Sequence, residues 1–194
     1  ELGPSGIEVI AESLVGKDQE AFYSTIHNEI LHIDHELLTN FFRLHLLQLS
    51  RQNTAFSSDF ISPHTPFLPR SRTGLPLISQ EVQINGSTRS FVPDGVFMIC
   101  HTKRDHHLLF FLESDRANEP LNGDASTATL QKKFENYHQY LVSGDYKRYE
   151  KKWQCSFKGF RLLVLCNDTT RMKQIARFVS QYPTLDYVWV TDTT

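Results

Sequence analysis

The chain has 194 residues, 40% hydrophobic and 22% charged, which predicts a packed globular fold and excludes wholesale disorder. Lys plus Arg number 20 against 22 Asp plus Glu, so the chain does not coat nucleic acid through bulk charge, although a local basic patch stays open. No apolar run approaches the roughly 20 residues of a membrane span, and no signal-peptide pattern opens the sequence.

The sequence starts at Glu1 without a methionine, and the expectation is a fragment or processed form that follows an upstream domain. Residues 1–29 read as an amino-terminal helical extension or linker, with helical promise in GIEVIAESLVG and QEAFYSTIHNEI; residues 30–194 read as the main domain. From Ile30 to Leu49 the apolar positions Ile30, Ile33, Leu37, Phe41, Leu44 and Leu47 recur every three or four residues. That spacing predicts a long helix with one broad buried face. Four prolines (Pro63, Pro66, Pro69, Pro76) then mark an irregular stretch, before which TAFSSDFI can hold a strand.

LISQEVQI alternates apolar and polar, Asn85-Gly86 signals a reversal, and RSFVPDGVFMIC runs back. A second reversal at Thr102–Asp105 leads into HHLLFFLESD, whose continuous apolar middle predicts a central strand covered on both faces. Together these predict a meander of three antiparallel strands. A helix follows over TLQKKFENYHQYLV, capped by Ser126 or Thr127, with Leu130, Phe134, Tyr137 and Leu141 on one face. After a basic, aromatic stretch come the strand RLLVLCN, the helix TTRMKQIARFVSQY and the strand LDYVWVTD. The fold class is therefore α/β, an α+β mixed sheet: helix, three antiparallel strands, helix, strand, helix, strand, the tail a right-handed parallel crossover.

Three acids stand out. Asp94 follows Pro93 inside an apolar run, with Gly95 behind it, so the strand is expected to be irregular at the acid. Glu113 and Asp115 are two apart, hence on one face of their strand, with Ser114 on the other. Antiparallel pairing around Thr102–Asp105 sets residues summing to about 207 or 208 opposite each other, bringing Asp94 to Glu113. Crowded carboxylates repel, and Mg²⁺ or Mn²⁺ is the natural compensator, able to activate water at a phosphoryl group. The plainer reading is a set of solvated acids, with Asp94 serving a turn.

Cys100, Cys155 and Cys166 are odd in number and lack CxxC spacing. They are expected to be reduced, buried thiols, which suits a bacterial cytoplasm. The nine histidines form no HExxH, so no zinc site is expected. Walker, GxGxxG and GxSxG motifs are absent from the sequence, which weighs against nucleotide hydrolase, dinucleotide-binding and serine-hydrolase readings.

FVPDGVF, FFLESDRANEP, LQKKFENYHQYL and FRLLVLCNDTTRMKQIARF, in this order, resemble the replication-relaxation family of bacterial plasmid and mobile-element proteins. The resemblance covers nearly the whole chain and is most specific over residues 91–180. It implies a restriction-endonuclease-like core of the PD-(D/E)xK superfamily, with a winged-helix DNA-binding domain upstream. It also implies a role in replication, topology or transfer of plasmids and integrated elements. In the nuclease pattern a lysine stands two residues after the glutamate; here that place is Asp115. Lys133, four before Tyr137, matches the family pattern and is the replacement lysine, or else a solvated surface residue.

The resemblance thus implies Asp94, Glu113, Asp115 and Lys133 as catalytic residues of a metal-dependent DNA endonuclease, the three acids holding the metal. Arg116 can hold Asp115 or a DNA phosphate. Lys151 and Lys152 sit where basic residues interleave with Tyr149, Trp153 and Phe157; such mixing grips and stacks on nucleic acid, or merely tucks aromatics into a core. The rival is an inactive nuclease fold acting as a DNA-binding or dimerisation regulator. A third reading is an accessory factor for a relaxase or replication protein. No membrane partner is expected, and a homodimer stays open.

Overall fold

The computed structural model describes residues 19–62, 80–84, 86–116, 120–121 and 129–193. The chain divides into two units, residues 1–37 and 38–194. The first holds the beginning of helix α1 (Gln19–Gln52); the expected GIEVIAESLVG helix and the Ser126 or Thr127 cap lie outside the described residues.

The second unit is a mixed α/β fold. Its elements are β1 (Phe56–Ile61), β2 (Gln80–Ile84), β3 (Ser87–Phe91), β4 (Gly95–His101), β5 (His106–Asp115), α2 (Leu130–Ser143), α3 (Arg148–Trp153), β6 (Phe160–Cys166), α4 (Thr169–Ser180) and β7 (Val188–Asp192). Five strands form one sheet in the order β1-β4-β5-β6-β7. β1, β4 and β5 run antiparallel, while β5, β6 and β7 run parallel. β6, α4 and β7 therefore supply the expected parallel crossover.

The meander is corrected in one respect. Its first strand is Phe56–Ile61, paired with β4, whereas β2 and β3 form a separate two-stranded sheet turned at Gly86 (φ 77°). RSFVPDGVFMIC is thus two strands, broken at Val92–Asp94. Pro93 explains the break, since it has no N–H to continue a ladder.

Strand parity builds two cores. Leu109 and Phe111 of β5 face a cluster with Leu130, Phe134, Tyr137 and Tyr140 of α2 and Ile175 and Phe178 of α4. Phe110 and Leu112 face Leu46, Phe97 and Leu165, with Leu38 and Phe42 packed against them. β5 is thus the central strand covered on both faces, as its unbroken apolar run requires. Phe111 is fully buried, its ring 4.6–5.8 Å from those of Tyr137, Tyr140, Tyr149 and Phe160. Burying one such side chain stabilises by about 1.5–3 kcal/mol.

The expected buried stripe of α1 is not the one that packs. Leu38, Phe42 and Leu46, spaced by four, meet the sheet with Thr39, while Leu37, Phe41, Leu44 and Leu47 are exposed. The side chains of Ile30 and Ile33 lie outside the described residues. Leucine and phenylalanine occupy two neighbouring stripes of this helix, so periodicity alone does not choose between them.

α2 begins at Thr129, whose hydroxyl accepts the Lys132 N–H at 3.3 Å, and ends at Gly144 (φ 79°). α4 is capped by Asp168, which accepts the Arg171 N–H at 2.9 Å. Each cap satisfies an N–H that the helix itself leaves unpaired. Among the described residues no helix is long and apolar enough to cross a membrane.

Candidate functional site

Three parallel strands end at one edge of the sheet, where β5, β6 and β7 place Asp115, Cys166 and Asp192 side by side. Asp94, at the start of the antiparallel neighbour β4, reaches the same edge. Gly95 pairs with Leu112, a sum of 207, and the Asp94 N–H continues the ladder to the Leu112 carbonyl at 3.0 Å. The expected register is the observed one. The carboxyl ends of parallel strands are the usual place for ligand sites in such sheets.

Asp94 is fixed by the backbone, its Oδ2 accepting the Ser114 N–H at 2.7 Å. On the other face, the Ser114 hydroxyl meets Thr39 Oγ1 of α1 at 2.9 Å. Gly95 is needed here for space, since a Cβ would run into the Phe60 ring. Its φ is not positive, so conformational freedom is not the reason.

Glu113 is buried, yet both its oxygens are engaged. Lys133 Nζ donates to Oε2 at 3.1 Å and the Tyr137 hydroxyl donates to Oε1 at 2.5 Å, both from α2. Lys133 and Tyr137 are four apart and share a helix face, which is why one carboxylate can meet both. Burial pushes the Glu113 carboxyl up to about 7, Lys133 pulls it down, and the nearby Asp94 raises it again. Burial also pushes the Tyr137 hydroxyl well above its usual range, with Glu113 adding to the effect.

Asp115 shares the face of Glu113, as parity requires, but its partner is Arg171 of α4. Arg171 Nε lies 2.6 Å from Oδ2 and Nη2 lies 3.2 Å from Oδ1, a bidentate pair with both side chains buried. Arg116, the neighbour considered for this role, sits half-buried beyond the strand. Among the described residues, Asp94, Glu113 and Asp115 do not bring three ligand atoms within 4.8 Å of one another. Asp94 and Glu113 converge; Asp115 is turned to its arginine. A two-carboxylate site suits Mg²⁺ or Mn²⁺, which keep several waters and take one or two protein carboxylates. Glu113, pushed up by burial and a second acid, is the kind of group that a cation would restore to its charged form.

Cys166 lies between these strands, and burial with Asp115 pushes its thiol up to about 12. It is the inert, buried thiol expected; Cys100 and Cys155 are only half-buried, and all three are free.

In the basic, aromatic stretch the aromatics point inward. Tyr146, Tyr149, Phe157 and Phe160 are core residues, and Trp153 packs against them while donating its Nε1–H to Asp59 at 2.8 Å. They are therefore not set out to stack on bases. Lys151 and Lys152 remain exposed, Lys152 Nζ lying 3.9 Å from Asp59.

Sequence reasoning missed Arg171 and Asp192. Arg171 is the third residue after the cap Asp168, in the first turn of a helix that leaves the sheet edge. A cation there points at the ends of the strands. Asp192 accepts the Thr169 hydroxyl at 2.6 Å and ties the last strand to the same helix.

Residues 1–154 match the model of the replication-relaxation family. Nothing matches the chain among curated proteins or among solved structures.

Proposed function

The chain belongs to the replication-relaxation family, and we propose that its sheet edge handles phosphodiesters of plasmid or mobile-element DNA as a nuclease-type site. The observation that carries this reading is the contact of Lys133 with Glu113 at 3.1 Å. It brings a lysine to the glutamate even though Asp115 holds the place where the nuclease pattern has one. The element order α1, β1, β4, β5, α2, β6, with the β2–β3 hairpin set between β1 and β4, supports a restriction-endonuclease-like core.

In this reading Asp94 and Glu113 would hold Mg²⁺ or Mn²⁺, which when bound would supply an activated water and neutralise charge on the phosphoryl group. Lys133 orients the attacking water while Tyr137 fixes the Glu113 carboxylate. Asp115 acts through Arg171, keeping α4 against the edge. Arg116, Lys151 and Lys152 are proposed DNA-backbone contacts, which position a duplex without reading its sequence. The test is incubation of the protein with supercoiled plasmid and Mg²⁺ or Mn²⁺, beside Asp94→Ala and Lys133→Ala. Nicking lost in both variants is the expected result; cleavage unchanged in Asp94→Ala overturns the site.

A second reading, a regulator with this fold and no chemistry, is favoured by the buried Asp115–Arg171 pair. It replaces a catalytic lysine with a structural ion pair. Calorimetry with Mg²⁺ and Mn²⁺ separates the two, because neither heat from these cations nor cleavage in their presence is expected of the regulator.

A further inference from the structure

At the opposite end of β5 from the acidic edge, a different set of side chains comes together. Cys100 of β4 and His107 of β5 are direct cross-strand partners, so they project from the same face of the sheet. Between them the hairpin turn ends at Asp105, held at φ 50°, a left-handed conformation that Asp and Asn tolerate better than most residues. This places Asp105 Oδ1 3.5 Å from His107 Nε2. The Cys100 Sγ, one Asp105 oxygen and one His107 nitrogen all lie within 4.8 Å of one another. Ligand atoms around a tetrahedral zinc sit roughly 3.3–3.8 Å apart, given bonds of about 2.0–2.3 Å. A contraction of about 1 Å in a hairpin turn is all the site would need.

One more cysteine packs on this face of the sheet. Gln154, in the left-handed region at φ 51°, turns the chain after α3. Cys155 then packs against the same core cluster, on the face of the sheet that Cys100 shares. Access from solvent is provided by a groove lined by Asp105, His107, Ser156 and Lys158.

We infer that Cys100, Asp105 and His107 form a zinc-binding site, with the fourth position open to Cys155 or water. Thiolate, imidazole and carboxylate together suit Zn²⁺, whereas Mg²⁺ and Ca²⁺ prefer oxygen alone. On binding, the Cys100 thiol releases its proton to solvent and His107 coordinates through a neutral ring nitrogen. The site lies roughly 20 Å along β5 from Glu113, six residues at about 3.3 Å each, and does not depend on any activity at the acidic edge.

The test is a titration of the whole chain with Co²⁺ under a phosphine reductant, followed by Zn²⁺. One equivalent of Co²⁺ is expected to give a thiolate-to-cobalt charge-transfer band with tetrahedral ligand-field bands, and Zn²⁺ is expected to bleach them. Cys100→Ser should weaken the charge-transfer band at least two-fold, Cys100→Ser with Cys155→Ser should abolish it, and His107→Ala and Asp105→Asn should each weaken binding at least ten-fold. The Asp105 side chain is 93% exposed, so Asp105→Asn decides the matter even where Cys100→Ser fails to fold. Glu113→Gln should keep the full band. Absence of the band in the parent chain, or a band untouched by the Cys100 and Asp105 variants, overturns the site.

Discussion

Lys133 and Glu113, twenty positions apart, are joined Nζ to Oε2 at 3.1 Å, tying α2 to the end of β5. The glutamate end is buried and the lysine end is about one-third exposed. Removing the cation alone strands an acid in the protein, which is worse than removing both partners. Lys133→Met is expected to destabilise the fold by about 1–3 kcal/mol, discounted for the lysine's exposure, and Lys133→Met with Glu113→Gln should recover most of that. Urea midpoints of the three chains check it.

The same glutamate makes stability depend on pH. Its carboxyl is raised from 4.5 to about 7, with burial the largest cause. The unfolded chain therefore releases this proton first as pH rises. Between about pH 4.5 and 7 the folded state holds more protons, so stability falls with rising pH through that window. The loss is on the order of 3 kcal/mol when complete. Unfolding midpoints across pH 4 to 8 should decline in the parent and flatten in Glu113→Gln.

Asp115 and Arg171 give a stronger test, because both are buried and the pair is bidentate. Arg171→Ala leaves a buried carboxylate without its cation and is expected to destabilise by about 3–5 kcal/mol. Pairing Arg171→Met with Asp115→Leu should restore much of it. Thermal unfolding of the single and double variants decides whether this pair holds α4 on the sheet.

The site was legible in part because strand parity and hairpin register are arithmetic. The two-position spacing of Glu113 and Asp115, and a turn centred between positions 102 and 105, suffice to place three acids on one edge. Arg171 was not legible, since only tertiary packing carries a helix's first turn to the ends of β5 and β6. The same holds for β1. FSSDFI offers a short, half-polar strand, and nothing local tells it to displace QEVQI as the partner of β4. The hairpin does turn at Gly86, as the sequence predicts, but a local turn says nothing about which sheet the hairpin joins. Aromatics in the basic stretch were ambiguous for a related reason: inward and outward rings have the same sequence, and the core cluster around Phe111 settles which they are.

α1 is where periodicity named the wrong stripe, and it yields a paired prediction. Leu46 is 6% exposed and packs with Phe97, Phe110, Leu112 and Leu165, whereas Leu44, two residues earlier, is 59% exposed. Truncating a buried leucine removes its transfer free energy and leaves a cavity, so Leu46→Ala is expected to destabilise by about 2–5 kcal/mol. Leu44→Ala removes little buried surface and exchanges leucine for the best helix former, so its effect should stay within about 0.5 kcal/mol. Had the sequence stripe been the buried one, the two values would be reversed. Denaturant unfolding of both variants at one pH therefore reads the rotation of α1 directly.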